Sequence, residues 1–339
     1  FALLALQEEV LVGVLPLVVS PHRVLGIHRP RLRTPGNEHT RSVDLVVALG
    51  SEAIVTRLLL SAVLRAQPEY FDLELSAIPE MSPTVLTLGV AAEQAFVRSL
   101  PSGRGSVLKT TGSFDGFHDT LSQNFKKNHQ KSRKKLARLS GVQLRFLTGS
   151  QATPEELERF LKVEGSGWKG RAGTAIEQSP KLVSFYTAVV QRLSRLGWLE
   201  WTFLEAEGRT ISGQLAVRMG GALTILKIGY DESYRSCSPG NLLFEETARR
   251  AFASPDIVEI NCLTDMAWHD KWGMEKKGYL DIQIYPRCPL SLFFGYLPKQ
   301  ARLGVSRLPG IRPLYRAGRM FLKEVLRNEQ GGEAIRRVP

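Results

Sequence analysis

The sequence predicts an α/β protein made of two halves, each with a mixed sheet flanked by helices. Three observations support this prediction. At roughly 150 residues per domain, the 339 residues correspond to about two domains. Segments with the period of strands alternate with segments of helical period. Three consecutive strand-like runs are joined by Glu207-Gly208 and Gly220-Gly221, which are typical of tight hairpin turns.

The glycines near Ser102–Gly105 suggest where the two halves divide. We expect a smaller domain over residues 1–105, the main domain over 106–287 and a basic helical extension over 288–339. The hydrophobic share of 43% is ordinary for a globular protein and excludes a disordered or fibrous chain. No apolar run approaches the roughly 18 to 20 residues that a membrane span needs.

Strands and helices alternate in the first hundred residues. Ser51 is a candidate N-cap for one helix, and Ser82-Pro83 places proline in the first turn of another. Strands are predicted at 3–6, 11–19, 42–49 and 70–78, with a helix at 53–66.

The main domain begins with a strand from residue 106, and a long basic helix follows over 114–139. Thr153-Pro154-Glu155-Glu156 combines a cap, a proline and an acidic first turn, which predicts another helix start. After a glycine-rich loop, the prediction continues with helix 185–196, strands 199–206, 210–218 and 222–230, loop 231–240, helix 241–253 and strands 257–261 and 280–285.

The strand–loop–helix unit from Ala222 to Ala253 is the most informative stretch. Ser238, Pro239, Gly240 and Asn241 stand where the helix begins, and backbone N–H groups at a helix start favour an anion. Glycine lets a phosphate approach the backbone closely. The same four residues are also compatible with an ordinary helix start, so both interpretations stay open here.

A three-strand meander followed by strand, phosphate loop, helix and strand resembles the GNAT acyl-CoA N-acyltransferase fold. Residues 106–285 resemble more narrowly the CelD/BcsL-type acetyltransferases of cellulose and exopolysaccharide loci. The first hundred residues resemble the degenerate GNAT-like N-terminal half of that group, and Fem-type aminoacyl transferases share the double-GNAT plan. The motifs that carry the resemblance are Gly167–Ile176, Phe185–Leu193, Leu226–Tyr234, Ser238–Leu243 and Asp265–Gly273, the last with Trp268 and His269 where the group has Tyr and Lys.

The resemblance implies transfer of an acetyl or other acyl group from acyl-CoA to an amine or hydroxyl, with an amino sugar or polysaccharide precursor as the acceptor. CoA would place its pyrophosphate on Ser238–Asn241 and its pantetheine along Ala222–Tyr230. The alternative is a Fem-like transferase that uses aminoacyl-tRNA, or a non-catalytic scaffold or RNA-binding relative.

Lys227 is the first candidate for catalysis, because its neighbours form a strand that should be largely buried. A lysine there either extends to the sheet edge or is placed for function. Asp231 leaves the end of the same strand. It is a candidate for substrate binding, although aspartate also commonly initiates turns.

Two further groups could take part in the chemistry. Glu164 is a candidate general base, and Trp168 and Lys169 in the glycine-rich loop are candidates for contact with the acceptor. Asp265 and His269 follow the strand 257–261, and histidine is a natural proton carrier near neutral pH. Each of these residues also has a purely structural interpretation, as a core, turn or surface residue.

The formal charge of +12 is concentrated in two places. Lys126–Arg138 and the segment after Lys299 are strongly basic, which suggests a CoA phosphate, tRNA or another anionic surface as partner. Cys237, Cys262 and Cys288 show no zinc-ligand spacing, so we expect no metal site and a reducing cytoplasm as the compartment.

Overall fold

The computed structural model describes residues 1–37, 39–40, 43–66 and 70–301. The chain divides into two compact units. The first combines Phe1–Ser102 with the described residues from Leu280 to 301, and the second is Gly103–Tyr279. Residues 302–339 lie outside the described residues, and with them most of the basic extension predicted over 288–339.

The elements follow one another in this order along the chain. The first part holds β1 (Ala2–Gln7), β2 (Val10–Pro16), β3 (Val18–Ser20), β4 (Arg23–Val24), β5 (Ile27–His28), β6 (Arg31–Arg33), β7 (Val46–Val47), α1 (Glu52–Ala66), β8 (Leu73–Pro79), α2 (Pro83–Leu86), α3 (Leu88–Gln94) and β9 (Ala95–Lys109). The rest holds α4 (Phe114–Thr120), α5 (Gln123–Leu136), β10 (Gln143–Leu147), α6 (Glu156–Gly165), α7 (Trp168–Arg171), α8 (Pro180–Arg195), β11 (Leu199–Ala206), β12 (Arg209–Met219), β13 (Ala222–Tyr230), α9 (Pro239–Phe252), β14 (Glu259–Asn261), α10 (Ala267–Lys271), β15 (Glu275–Pro286) and α11 (Pro289–Ser291).

The first unit is built around one apolar core beneath α1. Strands β1, β2 and β7 form a small sheet, and β15, β8, β6 and β3 lie side by side in another. Buried side chains of α1 pack against Leu15 of β2 and against Leu73 and Leu75 of β8. Because residues alternate across a strand, these positions put one face of each strand into the core.

A mixed sheet forms the centre of the second unit, in the order β10-β11-β12-β13-β14-β9. The first four strands are antiparallel, and β14 runs parallel to β13. Glu207-Gly208 and Gly220-Gly221 all have positive φ and form two-residue turns. That geometry matches the twist of the strands they join. The three predicted strand runs and both turns are therefore confirmed.

Helices cover both faces of this sheet. On one face, α6 and α8 pack against Trp201, Phe203 and Leu215. On the other face, α5 and α9 enclose a core with Leu223 and Ile225 of β13. These two packed faces hold β13 between them, which is where the candidate site lies.

Several predicted elements are wrong in detail. The expected helix over 114–139 is two helices, because Leu121 and Ser122 adopt extended backbone and the Ser122 hydroxyl accepts a hydrogen bond from the Phe125 N–H at 3.2 Å. The predicted strand 11–19 divides at Leu17 into β2 and β3, which join different sheets. Most of the expected strand 42–49 is irregular, with only β7 forming ladder hydrogen bonds.

The two predicted loops of the main domain contain short helices. Residues Glu232–Cys237 form a 3₁₀ helix, which shortens the path from β13 to α9. The glycine-rich stretch after α6 contains α7 instead of being wholly irregular. Glycine weakens a helix but does not forbid one turn that tertiary contacts stabilise.

Candidate functional site

The second half of β13 separates from its parallel neighbour. Strand β14 pairs only with Ala222, Leu223 and Thr224, whereas β13 continues to Tyr230. The ladder to β14 therefore ends midway along β13. Backbone N–H and C=O groups beyond that point could bind an extended ligand, as they would bind another strand.

A β-bulge in β13 places Lys227. Leu215 pairs with Lys227 and Ala216 with Ile225, so Leu226 is the extra residue. Ile225 packs on the α9 side and Leu226 on the opposite side, toward α6 and α8, and the bulge keeps Lys227 on that same side as Leu226. Bulges change the direction of side chains in this way.

Lys227 and Glu164 both lie near Tyr186 on that side. The Nζ atom of Lys227 is 5.7 Å from the centre of the Tyr186 ring, on α8. Glu164 of α6 is 4% exposed, and its Oε2 accepts a hydrogen bond from the Ile176 N–H at 3.0 Å. Burial and the nearby charge of Glu164 raise the pKa of Tyr186. Lys227 and Glu164, which the sequence offered as separate candidates, thus both lie near Tyr186, a residue that the sequence did not single out.

Gly229 explains how α6 comes so near to β13. A Cβ at this position would lie 3.0 Å from Cα and 3.3 Å from Cβ of Glu164. Contacts that short are not tolerated without movement of the backbone. A glycine here therefore sets the distance between Glu164 and the strand that carries Lys227.

The predicted phosphate loop is at the start of α9, with one important difference. The Ser238 N–H bonds the Arg235 carbonyl and the Asn241 N–H bonds the Ser238 carbonyl, both at 3.1 Å, and Pro239 has no N–H. Of the residues Ser238 to Asn241, Gly240 is therefore the one whose backbone N–H makes no such hydrogen bond. The side chains of Ser238 and Asn241 line a cleft instead.

That cleft has a volume of about 460 Å³ and lies between α5, the start of α9 and α10. Its lining is polar and basic with one phenyl ring, and it includes no carboxylate from the described residues. An anion with hydrogen-bond acceptors is the ligand that such a lining favours. The lining residues are Ser122, Asn124, Phe125, Asn128, His129, Lys131, Ser132, Lys135, Ser238, Asn241 and Lys271.

A buried network stands behind the cleft. His129 Nδ1 is 2.9 Å from Glu245 Oε2, and Arg133 Nη2 is 2.8 Å from Glu245 Oε1. Burial opposes the charge of Glu245, but hydrogen bonds from His129 and Arg133 outweigh it and lower the pKa of this carboxyl to about 2. Sequence reasoning missed this network. The spacing of His129 and Arg133 on one helix face was the available signal, but their partner is on another helix.

Asp265 and His269 have well-defined structural contacts. Asp265 pairs with Lys276 at 2.5 Å and with Arg104 at 3.1 Å, and the hydrogen bond from Lys276 lowers the pKa of its carboxyl. His269 is 1% exposed, and its Nδ1 accepts a hydrogen bond from the Met266 N–H at 3.1 Å. Burial lowers the pKa of His269 to about 4, so the ring is neutral near pH 7.

The remaining candidates are less informative. Asp231 caps the 3₁₀ turn that follows β13, accepting from the Ser233 N–H at 2.9 Å and the Ser233 hydroxyl at 2.7 Å. Trp168 and Lys169 belong to α7, and their side chains lie outside what the structure describes.

In the described ranges, no three His, Cys, Asp or Glu side chains are grouped to hold a metal ion. Nor does any described helix have the length and apolar character to cross a membrane.

Comparisons with known proteins find a matching family within the second unit. Residues 123–264 match a family model described as an acetyltransferase (GNAT) domain. This range extends from α5 to just beyond β14 and includes the cleft residues of α5 and α9, Lys227 and Glu164. A search of curated proteins found no match.

Solved structures show the fold. The crystal structure of FemX is 12% identical with a TM-score of 0.58, over 83% of this chain and 87% of that chain. The C-terminal domain of a putative lysylphosphatidylglycerol synthetase from Agrobacterium fabrum is 11% identical with a TM-score of 0.53, over 87% and 86%. A conserved protein of unknown function from Bacteroides thetaiotaomicron is 10% identical with a TM-score of 0.51, over 76% and 79%. The predicted fold class, α/β with GNAT-like halves and mixed sheets, is confirmed.

Proposed function

We propose that this chain is an acyltransferase whose donor is acetyl-CoA or another acyl-CoA. The cleft at the start of α9 is the observation that carries this proposal, because Lys131, Lys135 and Lys271 line it and no carboxylate is among its described lining residues. A pyrophosphate and a phosphate monoester are the groups that such a charge pattern would bind most favourably. The matched GNAT domain supports acyl transfer in general.

The open half of β13 fits the rest of such a donor. A pantetheine arm contains amide groups that can pair with an extended strand, and the backbone beyond Thr224 is no longer paired with β14. A thioester further along β13 would then approach Lys227. We propose that Lys227 stabilises the negative charge that develops on the carbonyl oxygen during attack.

We assign Glu164 the role of proton acceptor. The acceptor amine or hydroxyl forms a bond to the thioester carbon, its proton passes to the carboxylate, and the carbon–sulfur bond breaks as CoA leaves. His269 is not included in this proton path, because its pKa of about 4 and its backbone contact suit a structural role. Asp265 is also left out, since two cations engage its carboxylate.

For the acceptor we propose an amino sugar or a polysaccharide precursor, as the resemblance to CelD/BcsL-type proteins implies. We propose a reducing cytoplasm as the compartment.

A second donor is favoured by a separate observation. Lys127, Lys131, Lys134 and Arg138 are all exposed on α5 and its C-terminal end, which suits a longer polyanion such as aminoacyl-tRNA. The structural similarity to FemX makes this the alternative worth testing.

Calorimetric titration with CoA and with tRNA separates the two donors. We expect CoA to bind, and replacement of Lys131, Lys135 and Lys271 by Gln to weaken its binding at least tenfold. Lys109 pairs with Glu259 and does not line the cleft, so Lys109→Gln is the matched control and should leave the affinity unchanged. Binding of tRNA without CoA would contradict the proposal, and binding of neither would favour a scaffold.

A further inference from the structure

The position of one hydrogen on the His129 ring can be deduced from its partner. Glu245 is ionised near neutral pH, since its pKa is about 2, and an ionised carboxylate only accepts hydrogen bonds. Nδ1 of His129, 2.9 Å from Glu245 Oε2, therefore carries a hydrogen. In a neutral ring this leaves Nε2 as a bare acceptor.

That second nitrogen is unsatisfied. His129 is only 7% exposed, and its Nε2 is buried with no hydrogen-bond partner among the described residues. A buried polar atom without a partner costs about 1–3 kcal/mol. Aromatic rings enclose the imidazole, with Phe125 at 4.3 Å and Trp272 at 5.3 Å between ring centres. His129 also lines the cleft, and because Nε2 itself is covered, a ligand there reaches this atom only after a small shift of the surrounding side chains.

Positive side chains outnumber carboxylates around His129. From α5 and α10, Lys131, Lys135 and Lys271 line the same cleft. Glu245 attracts a proton to the ring, but Arg133 at 2.8 Å and Arg249 at 3.6 Å share its negative charge. The remaining acid on this side of α9 is Glu246, which also pairs with Arg133. A phosphate in the cleft would add negative charge and a hydrogen-bond acceptor beside the ring.

We propose that His129 is a proton-linked phosphate ligand. When a phosphate ester enters the cleft, the imidazole takes up one proton from solvent on Nε2, and that N–H donates to a phosphate oxygen. Nδ1–H keeps its bond to Glu245, so the buried carboxylate holds the ring in place for the second contact. The proposal rests on the proposed function, because it takes the phosphates of CoA as the ligand of this cleft.

Calorimetry of CoA binding between pH 6 and 8, in buffers of different ionisation enthalpy, counts the protons taken up. We expect wild-type protein to take up more protons per bound CoA than His129→Gln does, with a difference of up to about one proton. The affinity of wild-type protein for CoA should fall as the pH rises. CoA has its own titrating phosphate, whose contribution both proteins share. Gln does not titrate, and its amide group reaches the position of Nε2, so the variant keeps a polar group toward the cleft and gives up the Nδ1–H bond to Glu245. His118→Gln is the control, because His118 stacks on Phe114 and does not line the cleft.

A second measurement on wild-type protein does not depend on a variant. The ¹⁵N signals of the His129 ring should show a neutral Nδ1–H form in the free protein and an imidazolium in the complex. Equal proton uptake by wild-type and His129→Gln would overturn the proposal, and so would a ring that stays neutral in the complex. In both cases CoA still binds, so the proposed function stands. If CoA does not bind, the proposed function fails. Inorganic pyrophosphate then serves as the probe of His129, and a ring that stays neutral at saturating pyrophosphate overturns the proposal as well.

Discussion

Replacing Glu245 by Gln should remove a large part of the stability of the second unit. The pKa of Glu245 falls from 4.5 to about 2 on folding. At about 1.36 kcal/mol per unit, this difference corresponds to about 3 kcal/mol of stabilisation at neutral pH. A carboxyl whose folded pKa is lowered stabilises the protein above its unfolded pKa, and that stabilisation is lost as the pH falls through the folded value. The relevant window therefore runs from about pH 4.5 down to about 2.

Urea unfolding monitored by tryptophan fluorescence measures this effect in the correct part of the chain. All five tryptophans lie between Gly103 and Tyr279, so the signal reports on the second unit alone. We expect Glu245→Gln to lower the unfolding free energy at pH 7 by about 3 kcal/mol. The variant should also lose less stability than wild type between pH 5 and pH 3.

Glu246→Gln is the matched control for this prediction. Glu246 is the next residue on α9 and also pairs with Arg133, at 2.6 Å, but its side chain is 28% exposed. Solvent screens exposed pairs, which contribute about 0–1 kcal/mol. If the two variants proved equally stable, or if Glu245→Gln kept the acid sensitivity of wild type, the reasoning about the buried network would be wrong.

Three further predictions test the site and its surroundings. Lys227→Met should lower turnover by roughly two to three orders of magnitude without changing CoA affinity; unchanged turnover would remove Lys227 from the site. Gly229→Ala should destabilise the second unit by about 1–3 kcal/mol in urea, because its Cβ would lie 3.0 Å from the Glu164 backbone, and an unaffected midpoint would contradict that close approach. The pKa of His269 falls from 6.5 to about 4 on folding, so as the pH falls through this window the unfolded chain gains a proton before the folded one and stability declines by about 3 kcal/mol. His269→Asn should remove that decline in urea titrations, and a variant with the wild-type pH profile would refute the assignment.

The parts of the fold that local chemistry determines could be predicted from the sequence. The hairpin at Gly220-Gly221 needs two residues with positive φ, which glycine adopts freely, so the meander was visible in the sequence. The break between α4 and α5 was not, because Ser122 is as acceptable inside a predicted helix as at its start. Only the packing of α4 and α5 on α9 and its neighbours makes Ser122 the start of a new helix.

The candidate site was predictable to a similar degree. Lys227 stood out because a charged residue lay in an apolar run, and Glu164 because glycines followed it. The sequence did not indicate two contacts of the site. Tyr186 is 22 positions from Glu164, and His129 is 116 positions from Glu245. No local pattern indicates such contacts, since they depend on how helices from distant parts of the chain meet.

The bulge in β13 makes the two halves of one strand differ in phase. Before Leu226, alternate side chains enter the core under α9, and after it the same alternation directs Lys227 to the opposite side. Deleting a single residue here would exchange the two sides for every later position of the strand. A substitution in this strand changes one position, whereas an insertion or deletion changes the side of every later position, so the length of this segment is itself a constraint that divergence must respect.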